Sequence, residues 1–486
     1  MRPEIPQQDL VQTTLPARNI GGAPNGGKPR VPVMLRALQY RNYRLFFMGQ
    51  IVSLVGTWMQ SVAQSWLVYR LTGSSFLLGI TGFCSQIPVF LMAPLGGMLA
   101  DRHSRHRIVI ATQSSAMVLA VILAALTLLG HIKVWEIIAL ATLLDVVNAF
   151  DIPARQAFVV EMIHPQDLIN AIALNSSMVN SARMIGPAIA GLTVAAVGEG
   201  WCFLANGVSY IAVITGLLMM KITPRPRKSG HSGVKSVVEG FRWVAHTGPI
   251  RALLLLLGVV SLTGMPYMVL MPIFADRILH SGARGLGMLM AASGLGALSG
   301  TLVLASKRGV RGLGRWITFA ASGFGMALIL FTLSRSFLLS LVLLFPAGFC
   351  MMIEMASSNT LVQTMVPDEL RGRVMAVYSM MFMGMAPFGA LSAGTVAQHL
   401  GTPQTVAMGG VVCLMGGAIF GWAWRSLRPE ARELILAQAM AGGEPSEGMT
   451  GQSFRLNGEK ASGTENGIGL KEEPSASAAR ANLEQA

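Results

Sequence analysis

The polar residues set inside long apolar stretches are the ones whose types and spacing could do chemistry. Gln50, Ser53, Thr57, Gln60 and Gln64 follow one another at steps of 3, 4, 3 and 4. At 100° per residue they share a helical face of about 80°. Hydrocarbon penalises such a stripe, so it must face protein or water. Two uses fit it: hydrogen bonds between helices, or the wall of a path that binds a solute. Asp145, Asn148, Asp151 and Arg155 occupy an arc of about 120° on a later segment. Asn175 and Arg183 stand on the segment after that. A lone charge near the bilayer centre costs at least about 2.5–3.5 kcal/mol. Asp145 and Arg183 fall at similar depth, so they are expected to pair across adjacent helices. Such a pair could be a structural bridge, or a switch in which proton uptake by Asp145 frees Arg183. Glu354 matches Asp151 at an offset of 203. Both are expected near the same membrane face, holding ion pairs with basic loops or carrying a proton.

The elements that position these residues are membrane spans. The chain has 486 residues, of which 52% are hydrophobic and 12% charged. A soluble domain carries roughly 25% charged residues. That composition excludes a soluble enzyme, a disordered chain and a coiled coil. Stretches of about 20 apolar residues predict twelve spans, near 45–69, 76–100, 108–130, 134–154, 168–195, 201–220, 251–274, 286–305, 315–333, 337–357, 372–395 and 404–424. With both tails inside, the inner side collects about 31 of the 37 Lys and Arg residues. The net charge of +14 is then a topology signal, and nucleic-acid binding is not expected. The polar N-terminus does not resemble a signal peptide, so the first span is expected to act as an uncleaved insertion signal.

The chain also repeats. Gly97, Leu99 and Arg105 return as Gly300, Leu302 and Arg308, at an offset of 203; Pro165, Leu168 and Met178 return as Pro367, Leu370 and Met380, at 202. Two blocks at nearly one offset argue for six spans plus six, a duplication typical of secondary transporters. The expected organisation is a disordered cytoplasmic tail at 1–42, a six-helix bundle at 43–220, a linker at 221–250, a second bundle at 251–424 and a mostly disordered tail at 425–486. Val234, Val237, Val238, Phe241 and Ala245 share one face of the linker and predict a short interfacial helix; residues 426–441 could form another on the membrane surface.

Catalysis finds little support. The eight histidines fall in or near loops, Cys84, Cys202, Cys350 and Cys413 lie in apolar runs, and no Gly-Lys-Ser/Thr phosphate loop occurs. No cofactor, no metal and no ATP-driven or enzymatic chemistry is expected.

The stretch from Gly96 to Arg107, with Gly97, Asp101, Arg102 and Arg105, is the most specific local signal. It resembles the signature loop between spans two and three of the major facilitator superfamily. Ser104 stands where a Gly is usual, and Leu304 replaces Asp101 in the second copy. The resemblance implies that Asp101 meets the start of span eleven and Arg105 a fourth-span acid, best matched by Asp151. Together they would lock the outward-facing state. It covers roughly residues 35–425. Arg44 to Gln60, Asp151 to Gln156, Asn175 to Gly191 and Glu239 to Arg242 resemble the enterobactin-exporter-like branch. Gly186, Pro187 and Gly191 partly match a fifth-span motif that in this superfamily goes with export. Pro187 would kink the helix, and the two glycines would allow close packing.

The fold so implied is an all-α membrane protein, twelve helices in two pseudo-symmetric six-helix bundles. The expected function is proton-coupled efflux of an amphipathic small molecule, a siderophore or drug, by alternating access. The alternatives are uptake or facilitated diffusion by the same fold, and a membrane sensor without flux. Expected partners are a small-molecule substrate, protons and membrane lipid, with a monomer in a bacterial inner membrane and both termini cytoplasmic.

Overall fold

The computed structural model describes residues 33–220, 234–307 and 309–440. Those residues build thirteen helices: α1 (Arg41–Thr72), α2 (Ser75–Arg102), α3 (Arg105–Leu128), α4 (Val134–Glu161), α5 (Leu168–Val197), α6 (Glu199–Leu218), α7 (Val234–His246), α8 (Gly248–Ile278), α9 (Gly282–Ser306), α10 (Leu313–Leu333), α11 (Phe337–Met365), α12 (Asp368–Leu400) and α13 (Thr402–Met440). Eleven are long and apolar enough to cross a membrane. The twelfth crossing is α5. Its 30 residues include Asn175, Ser176, Asn180, Ser181 and Arg183, which dilute its apolarity, and it lies between α1 and α9. Outward-facing Leu91, Phe319, Leu338 and Trp422 are exposed, a surface that suits lipid rather than water.

The duplication is visible in the packing. In the first half α1 packs on α5 and α6, α2 on α4, and α3 on α4 and α6; in the second half α8 packs on α12 and α13, α9 on α11, and α10 on α11 and α13. Both copies of the Pro-x-x-Leu block fall at the turn into a helix, α5 and α12.

The halves meet along two crossings, α5 on α9 and α2 on α12. Each crossing runs through paired glycines. A Cβ on Gly287 would lie 2.5 Å from the Pro187 carbonyl oxygen, and one on Gly191 2.8 Å from the Gly287 Cα. A Cβ on Gly79 would lie 2.7 Å from the Ala390 carbonyl and 2.9 Å from the Gly394 Cα. Without an apolar-effect driving force in lipid, such backbone contact is how helices gain van der Waals attraction.

Several segments differ from expectation. α13 runs unbroken to Met440, through Pro429, so there is no separate surface helix after residue 426. The N-terminal tail is not free up to residue 42. A 3₁₀ segment at Val33–Gln39 docks on the turn before α5, where Asn170 accepts from the Ala37 N–H at 2.8 Å and the Tyr40 hydroxyl donates to Asp167 at 2.6 Å. That bond to Asp167 pushes the Tyr40 hydroxyl above the ordinary tyrosine range. The linker forms α7, whose Gly240 rests on the Arg373 backbone while Glu239 pairs with Arg373 at 2.8 Å. Val238, Phe241 and Ala245 point away, exposed. The linker residues 221–233, Arg308 and both distal tails lie outside the described residues.

Candidate functional site

The α1 stripe is used first of all for helix contacts. Gln50, Ser53 and Gln60 are buried, whereas Thr57 and Gln64 are half-buried. Gln60 accepts from the Asn206 amide of α6 at 2.7 Å, and Asn206 in turn accepts from Ser209 at 3.2 Å. Gln50 accepts from Arg155 at 3.2 Å, and the Ser53 carbonyl accepts from Thr57 at 2.9 Å. Gly49 and Gly56 on the same face bring α1 against Val213 and Asn206 of α6. Of the two uses open to the stripe, the structure gives Gln50 and Gln60 the interhelical one. Ser53 is buried on the same face, and its carbonyl serves Thr57 within α1.

The acidic residues of α4 have different surroundings. Asp151 is buried and fully engaged: it accepts from Thr112 at 2.7 Å and Gln113 at 3.0 Å, both on α3, and pairs with Arg155 at 3.3 Å. Asp145, two turns away, is half-buried and accepts from Asn148 at 2.9 Å. The expected Asp145–Arg183 pair does not form. Arg183 instead lies over the Trp58 ring, its guanidinium carbon 5.5 Å from the centroid, and reaches the Met268 sulfur at 3.9 Å. α5 is pressed on α1 at Gly186, where a Cβ would sit 2.6 Å from the Trp58 Cβ, so Trp58 is the group its neighbouring turn presents to Arg183. A cation–π contact is worth about 0.5–2 kcal/mol. It covers only part of the roughly 2.5–3.5 kcal/mol cost of a lone cation at this depth. Asn175 is half-buried on α5.

Glu354 on α11 is buried and accepts from Ser358 at 3.3 Å. Ser358 stands where the 203 offset would place Arg155, so the second half lacks the cation of the first. Of the two uses expected of Glu354, the ion pair with a basic loop does not form among the described residues. Nearby, the Tyr378 hydroxyl of α12 donates to the Met355 carbonyl at 3.0 Å.

The signature loop is rearranged as well. Arg105 meets Glu161 at 3.0 Å, donates to the Ala157 carbonyl at 3.3 Å, and lies 3.6 Å from Asp101. Its fourth-span acid is thus Glu161, not Asp151, which Thr112, Gln113 and Arg155 already satisfy. Asp101 is about half exposed and its ion pair is with Arg105, not the start of span eleven. The first turn of α12 carries Asp368 and Glu369, and Asp368 pairs with Arg371 in the same helix. The latch expected of Asp101 belongs to the outward-facing state, whereas here the specific contacts between the halves lie at the other end of the helices. The close approach in this loop belongs to Gly96, whose Cβ would meet the Ala149 carbonyl at 2.2 Å; around Gly97 there is open space. Arg102 ends α2. Gly186, Pro187 and Gly191 do serve close packing, Gly186 on α1 and Gly191 on α9, and α5 remains one helix through Pro187.

The most specific links between the halves involve residues that no sequence motif marked. The Tyr69 hydroxyl donates to Asp276 at 2.7 Å, and Arg277 donates to the Gly73 carbonyl at 3.1 Å while lying over the Tyr69 ring at 5.8 Å. Ser75 donates to Gln398 at 3.2 Å, and Phe83 meets Phe388 edge-on at 5.7 Å. These contacts, with the two glycine crossings, all lie in the half of the molecule away from the terminal segments, here called the far end. α8, which supplies Asp276 and Arg277, is broken by π-turns at Val260–Gly264 and Phe274–Ile278. π-turns are frequent at functional sites because the wider turn reorients neighbouring side chains. Between them Tyr267 and Ser293 share a hydrogen bond of 2.7 Å.

Comparison with known proteins agrees with this architecture. A family model described as transmembrane secretion effector matches residues 34–443. The staphyloferrin A transporter of Staphylococcus aureus is 27% identical over 394 residues, covering 80% of this chain and 98% of that protein. The enterobactin exporter EntS of Shigella boydii serotype 4 is 25% identical over 338 residues, covering 69% and 80%. Among solved structures, the inward-facing, unoccupied form of a bacterial homolog of the human lysosomal transporter Spinster superposes with a TM-score of 0.61 at 15% identity, covering 80% and 98%.

Proposed function

The chain belongs to the transmembrane secretion effectors of the major facilitator superfamily, and from that premise we propose that it exports an amphipathic small molecule, of siderophore or drug type, in exchange for protons. It is a multi-pass inner-membrane transporter of a small-molecule substrate, not an enzyme. The finer reading is alternating access. The two halves rock about the α5–α9 and α2–α12 seams, with both termini in the cytoplasm.

One observation carries this reading. The specific contacts between the halves are gathered at the far end, while Asp145 and Arg183 stay half-buried at mid-helix. A passage closed at one end and polar at its depth is what a rocking carrier needs in one of its two states. The distribution of Lys and Arg assigns the far end to the outside. Asp145 is the carboxyl best placed to take up and release a proton, because Asp151 and Glu354 are sealed by their neighbours. Proton arrival from outside would neutralise Asp145 and favour release of cargo there.

Inverted vesicles loaded with an imposed proton gradient test this. Uptake of a fluorescent amphipathic cargo should need the gradient, collapse with a protonophore, and fall at least tenfold in Asp145→Asn. Gradient-independent movement, or unchanged flux in the variant, would remove proton coupling through Asp145.

A further inference from the structure

We propose that Arg183 recognises an anionic group of the transported molecule, a carboxylate for preference, with Trp58 as the platform that orients the guanidinium. The proposal rests on the transport reading above and names the class of its cargo.

The case begins with charge. No ion pair among the described residues includes Arg183. Arg155, toward the C-terminal end of α4, is by contrast neutralised by Asp151 and held by Gln50. Asp145 on α4 takes its hydrogen bond from Asn148 and makes no ion pair with Arg183. The hydroxyls of Tyr267 and Ser293 bond each other. Arg183 is therefore a cation whose burial the protein leaves largely uncompensated, and an arriving anion would supply the missing term.

Placement supports the same role. Arg183 is half-buried at mid-helix. Its own carbonyl and the Met184 backbone lie against the place a Cβ would occupy on Gly294 of α9, and its guanidinium reaches Met268 of α8. A group bound there would touch both halves at their seam, where binding can bias the rocking equilibrium. The guanidinium fork matches a carboxylate through two parallel N–H···O bonds, which a lysine ammonium cannot copy. Its place over the Trp58 ring restricts the guanidinium beforehand, lowering the ordering cost of capture.

The test is binding by the purified full chain in lipid nanodiscs, read by tryptophan emission. The probes are benzoate and citrate as anions and tetraphenylphosphonium as an aromatic cation. Arg183→Gln should weaken both anions at least tenfold. Arg183→Lys, which keeps the charge and loses the fork, should weaken them about threefold. Tetraphenylphosphonium should bind both variants at least as well as the parent chain, which also shows that they are folded. Trp58→Phe should remove most of the anion-induced emission change. A parent chain that binds the cation but neither anion overturns the proposal. So do variants that hold both anions at parental affinity. Failure of the transport reading looks different: Arg183-dependent anion binding with no gradient-driven flux of any probe would leave the site standing and remove the carrier.

Discussion

Replacing Tyr69 with Phe deletes a single oxygen from the far-end contact. In the structure that hydroxyl donates to Asp276 at 2.7 Å, across the boundary between the halves. Tyr69 is buried on α1, so water replaces the lost donor poorly. Hydrogen bonds to charged groups contribute about 1.5–3 kcal/mol. Arg277 remains beside Asp276 and still donates to Gly73, which argues for the lower figure, near 1.5 kcal/mol. At about 1.4 kcal/mol per factor of ten, the far-end-closed state should lose roughly tenfold in population. A tenfold preference for closure would become an even mixture. Spin labels at Lys133 and Arg335, exposed residues at the far ends of the two halves, would report the change as a new longer distance. The four native cysteines are all free and must first be replaced. Asp276→Asn should act in the same direction, and the double variant should add little, because both remove one contact. Unchanged distance distributions in Tyr69→Phe, or full additivity in the double variant, would refute the assignment of this contact as a closure latch.

Other outcomes follow from the same geometry. Gly287→Ala places a methyl 2.5 Å from the Pro187 carbonyl, so α5 and α9 must separate; a loss of about 1–3 kcal/mol in unfolding or a lower Tm in detergent is expected. Asp151→Ala removes the carboxylate of Arg155 and the acceptor of Gln113, leaving Arg155 only Gln50 and Thr112 only the Val109 carbonyl, and should destabilise by about 3–5 kcal/mol, whereas Glu161→Ala, at an Arg105 that keeps the Ala100 and Ala157 carbonyls and Asp101, should cost no more than about 1 kcal/mol; equal melting temperatures would reverse the assignment of the two acids. Gln60→Leu removes one interhelical bond to Asn206, worth about 0.6 kcal/mol in a membrane, so flux and apparent KM should stay within twofold of the parent. A tenfold rise in KM would return Gln60 to the cargo path.

The crossings were legible in the sequence because a span needs about 20 mostly apolar residues whatever lies beside it, although its polar residues leave α5 less apolar than the other eleven. The duplication was legible because one offset carried two separate blocks, and those blocks open α5 and α12. The importance of Asp145, Arg183 and Asp151 could be read from cost alone, since a charge in a span demands some answer. Which answer could not be read. Order along the chain does not say which helices pack, so Asp145 and Arg183, placed at similar depth by the sequence, sit on helices that pack elsewhere, α4 on α2 and α3 and α5 on α1 and α9, and turn to Asn148 and Trp58. Asp151 was taken by Thr112 and Gln113, polar residues of α3 that stand out from no pattern, which left Glu161 for Arg105. Tyr69 meets Asp276, and Ser75 meets Gln398, only because the halves close at one end. The sequence by itself determined what each segment can tolerate as an environment. Tertiary structure alone decided which polar group meets which, because partner choice depends on helix rotation and on the backbone approach that Gly186, Gly191 and Gly287 allow.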